Sequence, residues 1–302
     1  MLHLGNVEVE ETFAEAFGMV YCRIVVTAAN DRWLSHAERE FAGYACSVIA
    51  CDAEVGRERS LSAEESPDGR PAAAMLCFGM NADRLAKAVV NRTGQCLMTC
   101  PTTAVFGDLA VGAAAGKRIA LGKSLRYFGD GFQKSKKLGN RRFWRIPVMD
   151  GEFLVEEATG VATGVAGGNL IFQGPDERTT LSAAERAVDS VRDLPGVIAP
   201  FPGGIARSGS KVGSRYTGLI ASTADAFCPT LRGRVASRLH PDANCAYELV
   251  VNGIDESAVR GAMRLALMAA AEEPILRISA GNYGGKLGKH HIRLAELLGG
   301  DL

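Results

Sequence analysis

Apolar positions along the chain fall mostly into short runs bounded by glycine, proline and asparagine, interrupted by a few stretches where they recur every three to four residues. The longer-period stretches predict helices, because that spacing puts side chains on one face of a 3.6-residue turn. Residues 31–43 follow Asn30 and Asp31, both suited to cap a helix N-terminus with a side-chain oxygen. Residues 81–97 place Leu85, Val89 and Cys96 near one face, and residues 179–193 begin at Thr179-Thr180 and carry Leu181, Ala184, Val188 and Val191. The clearest pattern is 255–272, with Val259, Met263, Ala266 and Ala270 at i, i+4, i+7 and i+11. The short runs predict strands over 19–28, 72–79, 124–129, 143–149, 152–157, 168–173, 245–252, 275–280 and 290–294.

One motif is echoed. Met75-Leu76-Cys77-Phe78-Gly79-Met80-Asn81 leads through Asp83 into a helix, and Glu248-Leu249-Val250-Val251-Asn252-Gly253-Ile254 leads through Asp255 into another. The order strand–helix–strand–strand–helix–strand can then be drawn twice, over roughly 19–130 and 165–285, as a duplicated split βαβ, or ferredoxin-like, arrangement. A chance echo is the alternative, since strand–turn–helix is common. Pattern alone specifies an α+β protein of two similar lobes.

Composition narrows the class. The 302 residues are 47% hydrophobic, enough for a substantial core, and fit one large domain or two modest lobes at about 100–200 residues each. Basic and acidic residues balance at 34 each, so nothing global points to nucleic acid or an anionic membrane. No run approaches the roughly 18 apolar residues of a membrane span. Met1-Leu2-His3-Leu4-Gly5 lacks the basic-then-apolar order of a secretory signal, so a cytoplasmic protein is expected. The eight cysteines form no CxxC pair and mostly lie in apolar runs, as expected of reduced, buried thiols.

Common catalytic signatures are missing. Gly281-Asn282-Tyr283-Gly284-Gly285-Lys286-Leu287 approaches a phosphate loop but is one residue short, with Leu287 where Ser or Thr is needed. His290 and His291 are adjacent on an expected strand, so they point to opposite faces and cannot easily chelate together. Glycine-rich turns cluster at Ala166–Asn169, Phe201–Ile205, Ser208–Ser214 and Gly281–Gly288. They are either simple turns or places where backbone approaches a planar ligand. Residues 117–145 hold ten Lys and Arg (Lys117, Arg118, Lys123, Arg126, Lys134, Lys136, Lys137, Arg141, Arg142, Arg145) against Asp130. That is a solvated edge or a dock for a polyanionic tail or acidic partner. Glu248 lies in the apolar run 245–251, sharing a face with Ala246 and Val250. It is either a solvent-facing carboxylate or a partly buried acid that keeps its proton near neutral pH.

These stretches resemble the formylmethanofuran:tetrahydromethanopterin formyltransferase family. The similarity runs nearly end to end. It includes Thr12–Phe17, Ser66–Pro71, Gly94-Gln95-Cys96, Met98-Thr99, Pro101-Thr102, Phe128–Gly131 and Gly151–Phe153. It continues through Thr163–Asn169, Ala199–Ile205, Ser210–Ser214, Ala221–Thr223, Tyr247-Glu248, Asn252-Gly253, Ile278–Asn282 and Gly284–Gly288. The resemblance implies two ferredoxin-like lobes, expected at 1–150 and 151–302, with mainly antiparallel sheets flanked by helices. It implies homo-oligomers, no metal or prosthetic group, and tetrahydromethanopterin and methanofuran as coenzyme substrates. The family's proposed catalytic glutamate falls on Glu248. Motif matching offers Gln95, Thr99, Pro101, Phe201, Gly203, Ser210, Lys211, Asn282 and Lys286 as substrate contacts. Neutral charge and high Ala and Arg usage suggest a bacterial, non-halophilic owner, with hydrolase subunits of a formyltransferase/hydrolase complex as partners. A non-catalytic scaffold subunit of such a complex is the alternative; a small-metabolite regulatory module is a weaker one.

Overall fold

The computed structural model describes residues 2–108 and 117–299. Met1, residues 109–116 and residues 300–302 lie outside them, and with them the alanine-rich start of the basic region and the outer ends of the two expected lobes. The chain forms two compact units: residues 19–46 with 52–164, and residues 1–18 with 47–51 and 165–302.

The first unit contains residues 19–27 of strand β1 (Phe13–Thr27), helix α1 (Asp31–Ala42), strands β2 (Glu54–Leu61) and β3 (Ala72–Gly79), helix α2 (Ala82–Arg92) and strand β4 (Ala104–Gly107). β1 is flanked by β3 and β4, and β2 lies beyond β3, all antiparallel. The sheet order 4-1-3-2 is that of a ferredoxin-like lobe. Cys22, Ile24 and Val26 alternate towards α1 and α2, where Leu34, Phe41, Leu85 and Val89 complete the core. Asn30 and Asn81 cap the two helices, accepting from the Trp33 and Arg84 amides. β2 was not expected, because its sequence EVGRERSL looks too charged. It is held by pairing with β3 and by Glu58, which accepts two 2.6 Å bonds from Arg23.

Beyond β4 lie β5 (Lys134–Leu138), β6 (Arg141–Val148) and β7 (Gly151–Glu156); β7 runs parallel to β4 and antiparallel to β6, and β5 pairs with the far side of β6. The strand expected over 124–129 is instead a helical turn at Gly122–Leu125 followed by a 3-10 turn at Arg126–Gly129. Aromatic residues favour strands only where a sheet surface receives them. Here no strand pairs with the segment; Tyr127 and Phe128 face solvent, and Arg126 stacks on the Tyr127 and Trp144 rings. The helix expected over 81–97 ends at Arg92 and widens into a π-type turn at Thr93–Leu97, with Met98 N–H donating to Thr93 O at 2.9 Å.

The second unit repeats the plan. Strand β8 (Ala162–Gly174) supplies residues 165–174, followed by helix α3 (Glu177–Val191), edge strand β9 (Ile205–Ala206), strand β10 (Cys245–Gly253), helix α4 (Glu256–Ala270) and strand β11 (Arg277–Ser279). β10 pairs with β9 on one side and β8 on the other, and β8 pairs with β11, all antiparallel. The order is again 4-1-3-2, so the echoed strand–turn–helix occupies the same place in both lobes. Asp176 and Asp255 cap α3 and α4, accepting from the Thr179 and Ala258 amides. α3 therefore starts earlier than Thr179-Thr180. Residues Val7–Val9 extend this sheet parallel to β11, and strand β12 (His290–Arg293) pairs with Phe13–Ala16. The eight cysteines are free thiols; Cys22 and Cys77 are buried cross-strand neighbours and the other six are half-buried. Among the described residues, no helix is long and apolar enough to cross a membrane.

Candidate functional site

The alternation of β10 decides which of its faces is wet. Leu249 and Val251 join the core with Val259 and Met263 of α4, and Tyr247 packs against it. Ala246, Glu248, Val250 and Asn252 therefore turn to the face opposite the helices. Paired residues share a face, so Asn169, Ile171 and Gln173 of β8 and Ser279 of β11 line it too. This face is unusually polar for one so buried, and nearly every polar group on it is answered. The Gly167 amide donates to Asn252 Oδ1 at 3.0 Å and the Gly281 amide to Asn169 Oδ1 at 2.6 Å. The His240 amide donates to Gln173 Oε1 at 2.6 Å, and the Ser279 hydroxyl donates to Glu10.

Glu248 differs. Its cross-strand neighbours are Ile171 and Ala206, which offer it no polar group. The turn after β9 comes close behind it: a Cβ on Gly209 would lie 2.9 Å from Glu248 Oε2. Burial alone, with no hydrogen bond or opposite charge among the described residues to offset it, pushes the carboxyl pKa from 4.5 up to about 7. The residue is nonetheless only half-buried, so the group stays reachable although protein atoms crowd around it.

A glycine-rich loop forms the neighbouring wall. Glu15, on the stretch of β1 paired with β12, is 1% exposed and accepts four backbone amides: Tyr283 (2.7 Å), Gly285 (2.8 Å), Leu287 (2.6 Å) and Gly288 (2.6 Å). Burial would raise the Glu15 pKa, but these donors outweigh it and hold the carboxyl below its usual range. Gly284 and Gly285 both adopt φ +72°, which turns successive N–H groups inward. The segment that approached a phosphate loop thus wraps an anion supplied by the chain itself. Tyr283 is half-buried, with its ring 6.1 Å from that of Phe17. Burial raises its phenol pKa, and the charges of Glu248 and then Glu15 add to the effect. Glu248 is unaffected in return, because it titrates while the phenol is still neutral.

Two family models cover this chain: formylmethanofuran-tetrahydromethanopterin formyltransferase over residues 2–148, and the proximal lobe of the same enzyme over residues 151–297. The chain belongs to this formyltransferase family. A formylmethanofuran–tetrahydromethanopterin formyltransferase of Methylobacillus flagellatus is 50% identical over 98% of this chain and 99% of its own length. Among solved structures, the formyltransferase/hydrolase complex of Methylorubrum extorquens with methylofuran contains a chain matching at TM-score 0.92 and 46% identity, covering 98% of both chains. The Methanosarcina barkeri formyltransferase matches at TM-score 0.90 and 42% identity, covering 98% of this chain and all of its own.

Within this formyltransferase fold, several residues expected from sequence lie in the same compact unit as Glu248. Phe201 and Gly203 form the turn before β9, the strand beside Glu248, and Ser210 and Lys211 leave β9 on its other side through Gly209. Gly203 adopts φ +61° in open space, whereas a Cβ on Gly204 would meet Val188 at 2.7 Å. Lys211 forms an ion pair with Asp225, so its charge is already engaged. Asn282 is structural in its contacts, donating to Thr12 Oγ1 and Phe13 O at 3.1 Å each, while Lys286 is exposed on the same loop. Gln95, Thr99 and Pro101 belong to the other compact unit. All three are exposed at the π-type turn and the residues after it, where the Thr99 hydroxyl donates to Gln95 O at 2.6 Å.

Sequence reasoning missed Glu15, Asn169, Gly209 and Tyr283. The first carried a usable signal, an acid inside Phe13-Ala14-Glu15-Ala16-Phe17, the same anomaly that drew notice to Glu248. The basic stretch also changes character in the structure. Arg141, Arg142 and Arg145 pair with Glu156, Glu157 and Glu152 of the following segment, which a count ending at 145 cannot include. Lys134, Lys136 and Lys137 remain exposed along β5. His290 and His291 have separate partners, the former within 2.6 Å of Glu256 and the latter 3.1 Å from Gly288 O.

Proposed function

We propose that this chain transfers a formyl group between the amine of methanofuran, or a close relative of it, and a ring nitrogen of tetrahydromethanopterin, with Glu248 as the acid that manages the proton. Family membership over the whole chain supports the reaction. The observation that supports the role of Glu248 is its carboxyl group: enclosed, without a partner, reachable, and half-protonated near pH 7.

The chemistry needs such a group. The lone pair of the attacking amine forms a new C–N bond to the formyl carbon, and the C=O π electrons move onto oxygen. Protonated Glu248 hydrogen-bonds that oxyanion or gives its proton to the departing nitrogen as the old C–N bond breaks. The resulting carboxylate takes up the proton released by the attacking amine, so acid and base roles return to their starting state. A pKa near 7 serves both halves, where an ordinary carboxylate would be ionised and unable to donate. Poorly hydrated surroundings also discourage hydrolysis of the formyl group.

The coenzymes are substrates of this reaction rather than resident groups. We assign coenzyme contacts to Phe201, Gly203, Ser210, Lys211, Asn282 and Lys286 in the unit that holds Glu248, with Gln95, Thr99 and Pro101 of the other unit a separate set of candidate contacts. The two family models meet near residue 150, which supports lobes at 1–150 and 151–302. A cytoplasmic, homo-oligomeric enzyme, joined to hydrolase subunits as in the Methylorubrum complex, fits this reading. The test is formyl transfer by the purified chain, alone and with its hydrolase partners, for wild type and Glu248→Gln. The wild type should transfer and the variant lose roughly 10²–10⁴-fold in kcat. Full activity in Glu248→Gln would overturn the assignment.

A further inference from the structure

We propose that Glu15 is a positioning residue for this site: its carboxylate fills the nest of amides at 283–288 and so fixes Tyr283 as the wall that keeps Glu248 in poorly hydrated surroundings. This inference rests on the formyl-transfer reading above.

The geometry starts from what the loop needs. Its amides at 283, 285, 287 and 288 all point inward, and inward N–H groups without acceptors would be costly. An ionised carboxylate offers about four lone-pair directions, and each Glu15 oxygen takes two amides. The fit is close, since a Cβ on Gly288 would lie 2.4 Å from Ala16 O and 2.8 Å from Glu15 Cγ. The loop is anchored separately at its start, by the reciprocal Asn169–Gly281 bonds and by Asn282 on Thr12 and Phe13. The part that depends on Glu15 alone therefore begins at Tyr283. The largest contributions holding the Glu15 charge come from backbone amides, so its bonds go to the backbone that shapes this wall.

Glutamine at position 15 keeps the volume but not the chemistry. It has one acceptor oxygen, and its amide group would set donors against the two amides that Oε1 or Oε2 now accepts. The loop from 283 onward must shift and admit water beside Glu248. Better hydration lowers the Glu248 pKa towards its ordinary value, so the protonated acid disappears at lower pH. On its sheet face Glu248 neighbours Ile171 and, diagonally, Asn169 of β8, with Ala206 and Gly209 from the edge segment. The Asn169–Gly281 bonds bring the start of the loop to that face, near enough for Glu248 to act on the Tyr283 phenol, and Glu10 and Arg238 meet Ser279 there. The Lys211–Asp225 pair sits on the hairpin beyond Gly209, and His291 lies across from Glu15 on β12. The Lys211–Asp225 pair is present in every variant and cancels in the comparison. Removing the charge at position 15 would itself lower the Glu248 pKa, and Tyr283→Ala, which keeps that charge, separates the two causes.

The experiment measures kcat/KM against pH for formyl transfer by wild type, Glu15→Gln, Tyr283→Ala and the double variant. Glu15→Gln should move the alkaline limb down by about half a pH unit or more and lower kcat roughly tenfold or more. Tyr283→Ala should do the same, and the double variant should add little, because both changes open one wall. A limb that stays in place in Glu15→Gln, whatever its melting temperature or kcat, makes Glu15 a structural brace and overturns the proposal. If Glu15→Gln does not fold, Tyr283→Ala decides alone by the same criterion. A wild-type chain without transfer overturns the formyl-transfer reading and this inference with it, whereas an active wild type with an unmoved limb overturns only this one.

Discussion

Replacing Glu248 with glutamine should abolish transfer and, above pH 7, make the protein more stable. The carboxyl pKa is 4.5 in the unfolded chain and about 7 in the folded one. At 1.36 kcal/mol per pH unit, that difference amounts to about 3 kcal/mol, a ceiling because part of the side chain still meets water. Below pH 4.5 the group is protonated whether the chain is folded or not and contributes nothing to the pH dependence. Between 4.5 and about 7 the folded chain holds a proton that the unfolded chain has released, so stability falls as pH rises. Above 7 the loss is complete and constant. Glutamine carries no charge at any pH and escapes this loss.

The stability advantage of Glu248→Gln should therefore grow from near zero at pH 4.5 to about 3 kcal/mol at pH 8. For a chain of this size that is roughly 5–10 °C in melting temperature. Parallel thermal melts of both proteins at pH 5, 6, 7 and 8 isolate the effect, because every other titrating group cancels in the difference. The activity arm is the loss in kcat given above, with the wild-type kcat/KM falling on the alkaline side near pH 7. A stability difference that stays flat with pH would show that Glu248 is ordinarily ionised in the fold and would refute the mechanism built on its proton.

Gly209→Ala should cost activity without costing stability, since the one tight contact of its new Cβ would be Glu248 Oε2, the end of a flexible side chain, at 2.9 Å, with Ala224 Cβ at an ordinary 3.6 Å; matched melts and kcat values check this. Gly168→Ala should do the reverse, because its Cβ would lie 2.3 Å from Val259 Cγ1 and 3.0 Å from Met263 Sδ inside the strand–helix core. About 1–3 kcal/mol of overpacking is expected by denaturant melt, with kcat per folded molecule retained. Neutralising Lys134, Lys136 and Lys137 together should raise the KM for methanofuran or loosen the complex with hydrolase subunits, more at low salt than high. Neutralising Arg141 and Arg142 should instead lower stability, because each already answers a glutamate.

Much of the fold was legible because its signals are local. The four long helices carry their caps and apolar faces in sequence, and the echo at 75–83 and 248–255 marked the third strand and second helix of each lobe. What was not legible depended on partners. Glu54–Leu61 looks like surface until β3 supplies its hydrogen bonds and Arg23 donates to its acid, Glu58. The segment 124–129 looks like a strand until no described strand comes alongside. At the site, Glu248 could be singled out but not oriented, since either face of β10 could have met water. Glu15 and Tyr283 stayed hidden because their relation crosses more than 260 residues of chain.

The acids in the sheets show why sequence can nominate such a residue but not choose among candidates. Glu15, Glu58, Glu156 and Glu248 all lie in strands and all face burial. An ionised carboxylate there must be compensated or must take up a proton. Glu15 is compensated by four amides, Glu58 by a two-pronged guanidinium, and Glu156 by Arg141 together with the Gly107 amide. Glu248 receives nothing, and Gly209 leaves room for its oxygen without offering a bond. Its carboxyl group must trade protons where the other three need not. What singles it out is the lack of a partner, a property of the surroundings that the identity of the residue does not encode. Supplying a partner should therefore be as damaging as removing the acid. Ala206→Arg, with its side chain on the face and at the register position of Glu248, should hold the carboxyl ionised, shift the alkaline limb far below pH 7 and suppress transfer; because Ala206 is buried, a melt must first show that the fold accepts the larger side chain. Retained activity at neutral pH in that variant, with an ion pair present, would break the link between an unpartnered carboxyl group and catalysis.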